Sequence, residues 1–179
     1  DPTSITDLWY RLYRGNHHTN GPAVMSASAV LDQALWDIKG RSLGEPVYRL
    51  LGGPVREKVT IYQWLSGDHP DELADNAQRS VDEGYSTLGL MAHTRPERIR
   101  TSEIVVRVDN RISAVREAVG DNVDLATDFR GRVSTGVAKQ LLSKLEQYNL
   151  MFVEEPVHPD YDGNLHTLAE VSNTPIAVG

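Results

Sequence analysis

The sequence has 179 residues, of which 40% are hydrophobic and 24% charged, a balance that suits a folded core and excludes a disordered or collagen-like chain. Its formal charge of -7 and isoelectric point near 5.3 exclude the basic surface that a nucleic-acid binder needs. It has no cysteine for a disulfide framework or a thiolate metal site, and no apolar run approaching the roughly 18 residues of a membrane span, so a cytoplasmic protein without nucleic-acid or membrane partners is expected.

In chain order, Ile5, Leu8, Trp9, Leu12 and Tyr13 recur at helical spacing, and Gly15 stops the pattern. A loop with His17, His18 and Asn20 follows. The spacing then predicts a helix over 23–41 that buries Val30, Leu31, Ala34, Leu35 and Ile38 and ends near Gly40 or Gly44. After Leu50-Leu51-Gly52-Gly53-Pro54 the pattern changes, which places a boundary between residues 1–54 and 55–179. Strands are predicted over 59–65, 87–92, 123–128, 150–154 and 175–179, with helices over 70–83, 102–119, 134–147 and 164–171 between them. Such alternation implies a parallel sheet, because consecutive parallel strands need a crossover and the helix supplies it. The class is therefore α/β, either a barrel or a doubly wound sheet. Polar residues ending successive strands (Gln63, Asp128, Glu154, Glu155) favour the barrel, whose carboxyl-end face carries its chemistry.

Asp128 and Glu154 occupy equivalent places in successive β/α units and should point to one face. Hard cations such as Mg²⁺ prefer carboxylate oxygens, which makes the pair a candidate half-site, although acids at strand ends also cap helices or face solvent. Glu154-Glu155-Pro156 is more specific: two adjacent carboxylates after an apolar strand are costly without a cation or hydrogen bonds, so one should point inward. His17, His18, His93, His158 and His166 have no partner at ligand spacing and read as exposed histidines. Residues 95–100 read as a solvated segment, and neither a glycine-rich phosphate loop nor a nucleophile elbow is present.

Three segments together resemble the mandelate racemase subgroup of the enolase superfamily: Ala34-Leu35-Trp36-Asp37-Ile38-Lys39-Gly40 with Leu50-Leu51-Gly52-Gly53, Asp128-Phe129-Arg130-Gly131-Arg132, and Phe152-Val153-Glu154-Glu155-Pro156-Val157. Within that subgroup the chain is most similar to galactonate-type sugar-acid dehydratases. The resemblance implies helices of an enolase-type cap domain followed by a partial (β/α)8-type barrel of about the first five strands. It implies Mg²⁺ held by acids ending the third, fourth and fifth strands, with Asp128 and Glu154 matching the first two. The third family ligand is a Glu directly after a strand like Pro175–Gly179, where this sequence stops. The chain is therefore expected to be the middle of a longer protein, prone alone to aggregate or pair through uncovered edges, with a homo-oligomer expected of the full-length form.

The implied reaction is the dehydration of an aldonate such as galactonate to a 2-keto-3-deoxy acid through an ene-diolate. Substrate contact is expected from Asn16, His17 and His18 in the cap-side loop. Two departures from the family pattern stand in the chain. Arg130 occupies the place of the histidine that serves as leaving-group acid, and Gly89 stands about where many relatives carry a lysine. Arginine stays protonated at any working pH, so Arg130 suits pairing with a substrate carboxylate or hydroxyl better than proton donation. A catalytically inactive fragment or pseudoenzyme, or a racemase or cycloisomerase using the same metal, is the alternative.

Overall fold

The computed structural model describes residues 1–15, 17, 21–92 and 100–178. The chain divides into two compact units, Asp1–Val59 and Thr60–Gly179. In the first, α1 (Ile5–Arg14) carries an Asp7–Arg11 ion pair and a Trp9–Tyr13 ring stack, both at the i, i+4 spacing that brings side chains together on a helix. α2 (Pro22–Leu43) begins on a proline whose missing N–H costs the helix nothing there. It ends at Gly44, which adopts the left-handed conformation of a helix stop. A four-residue helix, α3 (Val47–Leu50), follows Pro46 and is too short for periodicity to reveal.

The expected buried face of α2 is not buried. Val30 is 65% exposed, Leu31 49% and Ile38 45%, while Ala34 is exposed and Leu35 half-buried. The positions that are covered are the small ones, Ser28 and Gly40. A Cβ on Gly40 would sit 2.7 Å from the Glu45 carbonyl oxygen and 3.5 Å from Val47, so the chain entering α3 packs where α2 lacks bulk. Close backbone approach, not apolar patterning, selects the covered side of this helix.

The second unit is a five-stranded, wholly parallel sheet: β1 (Gln63–Leu65), β2 (Thr87–Met91), β3 (Asp124–Asp128), β4 (Phe152–Glu154) and β5 (Ile176–Ala177), adjacent in chain order. α4 (Pro70–Asp82), α5 (Thr101–Val119), α6 (Thr135–Leu145) and α7 (Leu165–Ala169) connect them, α6 and α7 each adjoining a turn of 3-10 helix. A doubly wound sheet reverses its strand order partway; this one does not, and the open alternative resolves to part of a barrel wall. Side chains alternate across the strands. Leu65, Leu88, Leu90, Leu125 and Val153 face one way into a core with Leu73, Ala77, Val108, Ile112, Val115, Leu141, Leu142 and Leu168 from the helices. Residues of the opposite parity, including Trp64, Gly89, Ala126, Asp128, Phe152 and Glu154, line the other face.

The first strand is shorter than its β-rich sequence suggests. Val59 and Ile61 are 72% and 64% exposed, and pairing is confined to Gln63–Leu65 opposite Leu88–Leu90 of β2. Gln63 therefore begins its strand and shares the parity of the core-facing Leu65, so it is not one of the polar groups at the carboxyl end.

Two arginines of α5 tie the ends of the strands. Arg111, only 2% exposed, donates from Nη1 to the Asp68 carbonyl (2.6 Å) and from Nη2 to the carbonyls of Gly67 (3.1 Å) and Met91 (3.2 Å). Those carbonyls follow β1 or end β2, at the same carboxyl end of the sheet as Asp128. Arg116, nearer the other end of α5, donates to the carbonyls of Gly120, Val123 and Tyr148 beside the starts of β3 and β4.

Candidate metal and sugar-acid site

Asp128 is the last residue of β3 and Glu154 the last of β4, and the two are partners in register. Adjacent strands run roughly 4.8 Å apart, so the two acids project side by side from one end of one face. The backbone around them is fixed by further ladder bonds. Ala92 donates its N–H to the Asp128 carbonyl and Phe129 to the Glu154 carbonyl, both at 2.9 Å, while Glu155 donates to Ala177 at 2.9 Å. The chain then turns sharply: Arg130 and Glu155 take left-handed φ angles of 51° and 43°, which cost non-glycine residues about 1 kcal/mol each. Gly131 continues the first turn at φ 60° and donates to the Glu155 carbonyl at 2.8 Å. A Cβ there would lie 2.8 Å from Cα of His158, so only glycine lets the two acid-bearing loops meet.

Asp128 is 8% exposed and is held by one neighbour twice. The backbone N–H of Arg130 donates to Oδ1 at 2.6 Å, and the Arg130 Nε–H donates to Oδ2 at 3.2 Å. Glu154 is half-buried beside it, and burial, followed by the negative charges of Asp128 and Glu155, pushes its carboxyl above the usual range against a smaller opposing pull from Arg130. A group whose pKa is raised in the folded state binds its proton more tightly there than in the unfolded chain. Stability from Glu154 is thus fully present below its ordinary value and lost as pH rises through the raised one. Urea unfolding across that window should show a downward contribution to stability as pH rises, which Glu154→Gln should remove; an unchanged slope would mean that Glu154 holds its proton no more tightly in the folded state than in the unfolded chain.

Arg130 therefore stands beside the acid pair. His17 is exposed in the first unit, and Asn16, His18, His93 and Gly179 lie outside the described residues. His158 is exposed and its Nδ1 accepts from the Asp160 N–H at 3.3 Å; His166 contacts the neighbouring Thr167 hydroxyl. Gly89 lies between Trp64 and Ala126 in register, and a Cβ there would be 2.9 Å from ring carbons of both Tyr62 and Trp64. These rings fill the space a side chain at position 89 would enter, and Phe152 packs edge-on against Tyr62.

Arg111 carries only a faint signal in the sequence. Its signal is an arginine beside the apolar stripe Ile104, Val108, Ile112 and Val115, all of them buried. Among the described residues, no group of three or more His, Asp or Glu side chains converges to hold a metal. The oxygen donors of Asp128 and Glu154 suit a hard divalent cation. Burial first, and then the charges of Asp128 and Glu155, push the Glu154 carboxyl upward. No helix among the described residues is long and apolar enough to cross a membrane.

A one-sided β/α sheet with paired acids at its carboxyl end defines a barrel-type enzyme architecture, and the chain is recognised at both ends by the models of one superfamily. Residues 72–179 match the enolase C-terminal domain-like family, and residues 1–52 match the mandelate racemase / muconate lactonizing enzyme N-terminal domain. The chain belongs to the enolase superfamily, in its mandelate racemase / muconate lactonizing enzyme branch. It is 41% identical over all 179 residues to a D-galactonate dehydratase of Variovorax paradoxus (strain S110), covering 47% of that protein. Over its full length it superposes on a Mesorhizobium loti protein classed provisionally as a dehydratase (34% identity, TM-score 0.91, 50% of that chain). It also superposes fully on an enolase from Pantoea ananatis with bound D-gluconate and Mg (28% identity, TM-score 0.87, 51% of that chain). The chain thus spans about half the length of these relatives.

Proposed function

We propose that the protein carrying this chain dehydrates a sugar acid, an aldonate such as galactonate, to the 2-keto-3-deoxy acid, with Asp128 and Glu154 as ligands of a Mg²⁺ ion. The observation that carries the reading is the in-register carboxylate pair at the ends of β3 and β4. The 41% identity to a D-galactonate dehydratase and the gluconate and Mg in a structural relative support the substrate class and the metal.

Held by Asp128 and Glu154, Mg²⁺ would supply positive charge to offset the negative charge that builds on the substrate carboxylate as the neighbouring proton is removed. Asp128 is oriented for that role by the Arg130 backbone N–H, and Glu154 by the ladder bonds on either side of it. Arg130 keeps its proton, so its part is to pair with a substrate carboxylate or hydroxyl, and the proton that departs with the β-hydroxyl as water comes from another group. Position 89 offers no base, because glycine has none and aromatic rings fill the space beside it. Substrate contacts from Asn16, His17 and His18 belong to the same proposal.

The Asp128–Arg130 ion pair and the missing side chain at Gly89 favour a second reading, a non-catalytic member of the family. A panel of aldonic acids incubated with and without Mg²⁺ and assayed for 2-keto acid separates the two. The proposal expects Mg²⁺-dependent product from at least one aldonate. No product from any of them, with the protein folded, favours the non-catalytic reading.

A further inference from the structure

The grip of Arg130 on Asp128 has two parts that differ in how easily they release. The backbone N–H that holds Oδ1 is built into the turn, fixed by the left-handed pair Arg130 and Gly131, by the Gly131 to Glu155 bond, and by Arg132 N–H on the Phe129 carbonyl at 3.1 Å. The guanidinium that holds Oδ2 ends a long side chain that is 48% exposed, so solvent can replace its contacts when it swings away. The oxygen held by the rigid bond keeps the carboxylate aimed, and the oxygen held by the mobile one is available to be freed.

We propose that Arg130 is an internal counter-ion of the acid pair: its guanidinium occupies the cation position at Asp128 Oδ2, and a divalent metal takes that oxygen only by displacing it. This rests on the metal-site reading above. The displaced guanidinium keeps its charge and stays tethered one residue beyond Phe129, where it meets an anionic substrate arriving at the metal. Metal entry thereby converts Arg130 from a partner of the protein's own carboxylate into a partner for the carboxylate of the sugar acid. A histidine at this position, neutral over much of the working range, would not form the same standing ion pair.

The test uses Mn²⁺ as the probe, titrated into the wild-type protein and Arg130→Gln by water-proton relaxation. Loss of a partly exposed ion pair should tighten Mn²⁺ binding about fivefold in the variant. In the unmodified protein, Mg²⁺ titration followed by ¹⁵N–¹H NMR should move the Arg130 Nε–H resonance away from its hydrogen-bonded position, and this readout holds even where the variant folds poorly. Equal Mn²⁺ affinities, or an Arg130 Nε–H signal that does not respond to Mg²⁺, would overturn the counter-ion proposal while leaving the metal site intact. Absence of Mn²⁺ binding to both proteins would overturn the metal site and the proposal together.

Discussion

Replacing Asp128 with Asn should lower Mg²⁺-dependent formation of 2-keto acid by at least about 10³-fold, equivalent to roughly 4 kcal/mol of lost transition-state stabilisation. The substitution keeps the size and the acceptor oxygen that receives the Arg130 N–H at 2.6 Å, while removing the charge that a metal needs. It also removes repulsion on Glu154, so the folded state should change in stability by no more than about 1 kcal/mol, the scale of a partly exposed ion pair. Glu154→Gln should behave alike. Steady-state kinetics paired with urea unfolding checks both halves of the expectation. An inactive variant that is also unfolded would mean that Asp128 serves the fold, and a fully active one would remove it from the metal site.

Arg111→Met should be the most damaging single change to the second unit, costing about 3 kcal/mol or more. The guanidinium satisfies three carbonyl oxygens at or just past the ends of β1 and β2, and a thioether has no hydrogen to donate to any of them. Each carbonyl left unpaired in such surroundings costs about 1 kcal/mol or more. Burial lowers the pKa of Arg111, with the charges of Asp68 and Glu72 acting in opposition, so the group sits in the interior as a cation stabilised by backbone dipoles. Arg111→Lys keeps the charge but presents one point donor in place of a planar fork, and it should recover only part of the loss. Urea midpoints of the two variants against wild type measure both. A midpoint for Arg111→Met within error of wild type would show that the carbonyls find other partners.

The two changes mark different kinds of legibility. Asp128 and Glu154 are legible because each ends a predicted strand, 123–128 and 150–154, and a parallel sheet sends such residues to one end. The strand order followed from the alternation of strands and helices, with the choice of a barrel made by polar residues of which Gln63 proved to be misplaced. Residues 59–62 read as strand because β-branched residues fit a pleated surface, but a strand exists only where a neighbour offers a ladder, and β2 offers one to Gln63–Leu65. The apolar stripe of α2 misled for a related reason: periodicity says which face is apolar, not what covers it, and within the described residues that face stays exposed. Arg111 was hidden because a charged residue on a core stripe reads as an interruption until the carbonyls it reaches, 20 to 44 residues away, are brought to it. The left-handed turns at Arg130 and Glu155 have no compositional signature, since neither residue type favours that conformation.

The pair of acids is the center of the functional reading, and its most direct test is a crystal of the protein grown with Mn²⁺ and measured near the manganese absorption edge. One strong anomalous peak is expected between β3 and β4, within coordination distance of a carboxylate oxygen of Asp128 and of one of Glu154. An anomalous map with no peak there, and with the Arg130 guanidinium still on Asp128 at saturating Mn²⁺, would contradict it.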